Sequence, residues 1–115
     1  MAEVDDLISE WLTVPEVADR LTIEVTKVRQ LLRDHKLIAR RLDGVLRVPA
    51  HFILDGALLK GLPGTLTVLA DAGFDDEEAL RWLFTPDDSL PGSPVQALAE
   101  NRGREVKRRA QAIAF

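Results

Sequence analysis

Thr26, Arg29, Gln30 and Arg33 recur at spacings of three and four residues, with Lys27 beside them. On a helix that interval gathers the side chains on one face. A guanidinium fork matches the paired acceptors on the major-groove edge of guanine, and a carboxamide matches the donor and acceptor of adenine. Thr26 and Lys27, near the start of such a helix, suit phosphate oxygens. Farther along, Arg40, Arg41 and Arg47 flank an Asp43-Gly44 pair, bringing three more guanidinium groups to one short segment. This is the chemistry of nucleic-acid recognition, and these eight residues are the candidate DNA-binding set.

Other chemistry finds little to work with. The chain has no cysteine and two histidines, His35 and His51, which stand far apart without a tight carboxylate spacing, so no metal site is expected. Ser9, Ser89 and Ser93 lack the context of an activated nucleophile, and Ser93 is better explained as a helix cap. The stretch 61–64, Gly-Leu-Pro-Gly, has neither the lysine nor the spacing of a phosphate-binding loop. The carboxylates at 75–78 suit a helix N-terminus, where the macrodipole favours acids. Catalytic residues and cofactors are therefore not expected. Trp11 and Trp82 read as packing residues.

A formal charge of −4 over 115 residues first argues against a polyanionic partner. Its distribution reverses the argument. Residues 24–47 carry seven Lys/Arg against three acids, residues 101–115 carry +4, and residues 48–100 carry −7. Such a polarised surface can approach DNA with one face while the others are repelled. The basic run Arg102, Arg104, Lys107, Arg108 and Arg109 either extends that footprint or pairs with the acids at 75–78.

The elements that must position these groups are legible from periodicity and punctuation. Thr13 or Val14 can cap a helix with Pro15 in its first turn, running to Leu21 with Val14, Val17, Ala18 and Leu21 on one face. Val25, Val28, Leu31 and Leu32 make 24–34 a second amphipathic helix, and the short joint between them defines a helix-turn-helix. From Leu37 the pattern becomes β-prone, and Asp43-Gly44 is a strong hairpin signal because a type I′ turn needs positive φ at both central residues. A two-stranded wing over 37–49 follows. The remainder reads as helical: 50–59, a break at 61–64, a helix over 65–72 stopped by Gly73, a capped helix over 76–84, a loop over 85–92, a short helix from Ser93, and a last helix over 104–114 with Val106, Ala110 and Ile113 facing the core.

The run Leu12-Thr-Val-Pro-Glu-Val-Ala-Asp-Arg-Leu21, followed by Val25-Thr-Lys-Val-Arg-Gln-Leu-Leu-Arg-Asp-His-Lys-Leu37 and a hairpin ending at Val48-Pro49, resembles the excisionase and MerR-type winged helix-turn-helix group. A departure is Thr22, where that group usually has Gly in the turn. Nearly the whole chain is similar to a family of mycobacterial and other actinobacterial DNA-binding regulatory proteins with a dedicated helical C-terminal domain. The stretches 60–64, 81–86 and 105–112 carry that likeness. It implies DNA binding by the second helix and wing. Those proteins carry a longer N-terminal tail. Residues 78–98 also look like the C-terminal domain of Xre-type antitoxins, which implies a protein partner.

The expectation is a mainly α protein with a winged helix-turn-helix DNA-binding region over 1–53 and a helical C-terminal region over 54–115. The acidic N-terminus and the lack of a long apolar segment point to a cytoplasmic protein without membrane contact. Double-stranded DNA is the expected partner. An antitoxin-like or adaptor role through the C-terminal helices is the alternative, and the oligomeric state is left open.

Overall fold

A computed structural model describes residues 4–90 and 92–113. Pro91 of the predicted loop, Ala114 at the end of the predicted last helix and the chain ends at 1–3 and 115 lie outside the described residues. The elements are α1 (Val4–Leu7), β1 (Trp11–Thr13), α2 (Val14–Leu21), α3 (Val25–Arg33), β2 (Arg40–Leu42), β3 (Val45–Pro49), a 3-10 turn (Ala50–Phe52), β4 (Ile53–Leu54), β5 (Ala57–Leu58), α4 (Leu62–Asp71), α5 (Asp76–Phe84), α6 (Pro94–Ala99) and α7 (Gly103–Ile113).

Thr13 decides where α2 begins. Its hydroxyl accepts from the Glu16 amide while the Glu16 carboxylate accepts from the Thr13 amide at 2.8 Å, a capping box with Pro15 in the first turn. These hydrogen bonds, the backbone one foremost, hold the Glu16 carboxyl below its ordinary value of 4.5. The helix closes on Thr22 in the left-handed region (φ 56), where the Thr22 amide donates to Asp19 O and the Ile23 amide to Ala18 O. This is the Schellman closure, made here by a β-branched residue. The departure noted at Thr22 therefore falls where glycine has a steric advantage. The start of α3, three residues later, follows directly from this closure. The end of α3 repeats it, with His35 at φ 58 and the Lys36 amide donating to Leu31 O.

The wing hairpin forms as expected. Asp43 and Gly44 have φ of 51 and 78, the type I′ requirement, and pair Arg40 with Arg47, Arg41 with Leu46 and Leu42 with Val45. Its first strand is shorter than the predicted 37–42, because Leu37 and Ile38 are buried in the core before the ladder begins. A third strand, β1, pairs antiparallel with the free edge of β3, giving the order β1-β3-β2. Three residues offer no alternation to read, so β1 left no mark in the sequence pattern.

One predicted element is corrected. Residues 50–59 are not a helix but a 3-10 turn followed by the tight hairpin β4–β5. Its turn is a second Asp-Gly pair, Asp55 and Gly56 at φ 53 and 80. A helix there would have carried glycine in its interior, at about 1 kcal/mol relative to Ala, whereas the same dipeptide meets a I′ turn without strain. Two boundaries also move. The segment 61–64 starts α4 rather than breaking a helix, with Gly61 at the N-cap and Pro63 in the first turn. Ile113 is exposed rather than core-facing, leaving Val106 and Ala110 as the buried side of α7.

The remaining caps behave as their residue types dictate: Asp75 and Glu78 form a capping box on α5, and Ser93 caps α6 through the Gln96 amide. Val4, Ile8, Leu12, Val17, Val28, Ile38, Val48 and Phe52 share a single apolar cluster with Leu62, Leu66, Leu80, Leu83, Phe84 and Val106. Phe52 and Phe84 meet at 5.7 Å between ring centroids. Among the described residues no helix is long and apolar enough to cross a membrane.

Two outcomes are expected. Thr22→Gly relieves the left-handed strain and raises stability by about 1 kcal/mol in urea unfolding. Because the folded Glu16 carboxyl titrates below its unfolded value, its capping contribution is complete above pH 4.5 and lost as pH falls through the lower folded value. The gap in Tm between the native chain and Glu16→Gln should therefore close below pH 4.5.

Candidate nucleic-acid interface

With Val28 buried and Val25, Leu31 and Leu32 half-buried against α2, the opposite side of α3 is left to solvent. Thr26, Lys27, Arg29, Gln30 and Arg33 are all exposed there. Among the described residues no carboxylate pairs with Lys27, Arg29 or Arg33, so their charge is available to a partner. The Glu24 side chain makes no capping hydrogen bond to α3. The Val25 and Thr26 amides precede the first helical hydrogen bonds, which the Lys27 and Val28 amides make to Glu24 O, so the positive end of the helix dipole lies beside Thr26 and Lys27. The sequence carries the signal for this, since glutamate is a poor N-cap residue.

In the wing, register separates the three arginines. Directly paired residues lie on one side of the sheet, so Arg40 and Arg47 share a face while Arg41 lies on the other with Leu46, Leu12 and Val48. Leu12 and Val48 are buried in the core. Arg41 shares their face at the end of the hairpin, exposed beside the turn, with Nη1 donating to Gly44 O at 3.1 Å.

Arg40 is committed elsewhere. Its Nε lies 2.7 Å from Asp5 Oδ1 and its Nη1 donates to Glu77 Oε1 at 2.6 Å. The Glu77 hydrogen bond, ahead of the Asp5 charge, raises its already high basicity further. Among the described residues this is the wing guanidinium neutralised by acids, and it joins α1 and α5 through the wing. Arg47 is half-buried, and its Nε has no hydrogen-bond partner among the described residues. His35 Nε2 lies 3.0 Å from Asp76 Oδ1, a second link between the end of α3 and the start of α5.

The acids at 75–78 are thus engaged through Asp76 and Glu77 by His35 and Arg40, not by the C-terminal basic run. In that run Arg109 instead donates to Ser89 Oγ at 2.9 Å and lies 3.8 Å from Glu105. Ser89 also donates to Asp87, holding that carboxyl below the usual range. Trp11 and Trp82 are half-buried against the core, the packing role expected of them.

A capped helix, a tight turn, a second helix with an exposed cationic face and a hairpin wing define a winged helix-turn-helix protein. The comparisons narrow the class. Residues 3–53 match the family model described as the DNA-binding protein Rv2175c winged helix-turn-helix domain, and residues 59–114 match the Rv2175c C-terminal domain of unknown function. The chain is 46% identical to the DNA-binding protein Rv2175c of Mycobacterium tuberculosis over 115 aligned residues, covering 89% of this chain and 79% of that protein. An excisionase of Streptomyces ambofaciens is 44% identical over 46 residues, 40% of this chain and 74% of the excisionase. The NMR structure of Rv2175c superposes with a TM-score of 0.84 at 42% identity, covering 93% of this chain and 82% of that one. The chain belongs to the Rv2175c family.

Because Arg40 bridges two half-exposed carboxylates, Arg40→Ala should lower stability by about 1 kcal/mol, an amount that salt reduces. Urea unfolding in low and high salt reads both effects.

Proposed function

We propose that this chain binds double-stranded DNA and regulates transcription without catalysing a reaction, with α3 seated in the major groove. The reading rests on one observation above the rest: in a chain of net charge −4, the cations of one helix face stand exposed without a described acidic partner. Arg29 and Arg33 offer guanidinium forks to guanine and Gln30 a carboxamide to adenine. Thr26, Lys27 and the first-turn amides hold phosphate. Arg41 reaches the backbone or minor groove from the wing, Arg47 supports it from the other sheet face, and Arg40 has a scaffolding role. Residues 1–53 are the DNA-binding region, and 54–115 a helical support that anchors it through α5. A cytoplasmic site of action follows from a DNA partner. The excisionase likeness, confined to the N-terminal part, supports the same reading. Nothing in the geometry favours the antitoxin-like alternative for residues 78–98.

Replacing Arg29 and Arg33 together by Ala should weaken binding by about a hundredfold or more with the fold intact. Each lost phosphate contact should also reduce the salt slope of log K by about one. Arg40→Ala should leave affinity nearly unchanged. Selection of bound duplexes followed by titration across salt concentrations measures all three, and an unaltered affinity of the double variant at low salt refutes the assignment.

A further inference from the structure

The basic run near the C-terminus is only partly absorbed by this reading. Three of its members line a cavity of about 520 Å³ between the start of α4 and the start of α7, far along the chain from the helix-turn-helix. Lys60, Arg102, Arg104 and Lys107 surround it, with Glu105 the one acid. The lining carries a formal +3. Glu105 does not cancel the rest, because it lies 4.0 Å from Arg102 and 3.8 Å from Arg109. Among the described residues, no carboxylate pairs with Lys60, Arg104 or Lys107.

The walls are built from glycine. A Cβ on Gly61 would lie 3.4 Å from the Gly103 Cα, so the two helix starts meet backbone against backbone. At Gly64 a Cβ would stand 3.8 Å from Lys107 Nζ, which places that ammonium over open main chain. Val106 is the residue whose amide returns to Arg102 O, so the amides of Gly103, Arg104 and Glu105 precede the helical ladder. The first turn of α4 carries no acid. Like-signed dipole ends and four cations are thus held together around a recess, an arrangement that an anion relieves.

We propose that this cavity binds a phosphate-bearing small molecule of about nucleotide size. A tetrahedral oxyanion uses several donors at once, and the lining holds main-chain amides, two guanidinium groups and two ammonium groups. The volume lies within the range of small-ligand pockets, about 300–1,000 Å³, and exceeds the need of a lone phosphate. The inference does not rest on DNA binding, since the lining comes entirely from residues 60–107.

The test is a titration of the full 15N-labelled chain with inorganic pyrophosphate, with 5′-AMP and, separately, with a DNA duplex. Saturable shifts centred on the amides of Gly64, Gly103, Arg104 and Glu105, with Kd below about 1 mM for either small probe, are expected. Arg104→Gln combined with Lys107→Gln should weaken that binding by about tenfold or more. Both residues are exposed, and an otherwise unchanged spectrum establishes that the fold survives. Absence of saturation, or shifts spread equally over the basic residues of α3, would overturn the proposal. So would a response of these amides to the duplex alone, which would assign the cavity to the DNA footprint.

Discussion

Strand β3 has both edges occupied, β1 on one side and β2 on the other, and that double pairing is the constraint on which the other elements depend. Thr13 pairs with Arg47 at the last residue of β1 and also caps α2, so the ladder sets the direction in which the helix-turn-helix leaves the sheet. Arg47 pairs simultaneously with Arg40, which ties the wing to the same register. A slip of β3 by one residue would exchange its two faces, turning Val48 away from the core and putting Arg47 in its place. The buried cluster around Leu12 and Val48 opposes such a slip.

Past Pro49 the chain turns through Phe52 into the apolar cluster shared with α5, where Phe84 meets both Phe52 and His51. The polar links lie alongside: Arg40 to Asp5 and Glu77, and His35 to Asp76. Exposed pairs of this kind contribute little energy individually, so burial supplies the attachment and the charges orient it. The acids of α5 thereby serve two ends, completing a helix N-terminus and neutralising cations of the N-terminal half. Among the described residues, cations left without an acid include Lys27, Arg29 and Arg33 on α3 and Arg104 and Lys107 on α7.

Local structure is legible where one residue type has one strong physical use. Thr13 with Glu16, Asp75 with Glu78, Ser93 before Pro94, and Asp43-Gly44 each announced their structure from within four residues. Over 50–59 the apolar composition suits a helix, yet a second Asp-Gly pair, twelve residues after the first, sets a hairpin turn there. β1 could not be seen at all, since a three-residue strand exists only through a partner more than thirty residues away.

For the candidate site the division is similar. The sequence by itself determined which cations share the exposed face of α3, because helical spacing and the apolar stripe of Val25, Val28 and Leu32 leave no other arrangement. It also determined that Arg40 and Arg41 point to opposite sides of a strand. Which of the two is available was decided only by tertiary structure, through carboxylates at positions 5 and 77 brought together from far apart along the chain. The meeting of α4 and α7 is of the same kind. A glycine's use as a close-approach point depends on what approaches it, and charge pairing depends on distances in space. Neither is encoded in the local periodicities from which helices and hairpins can be read.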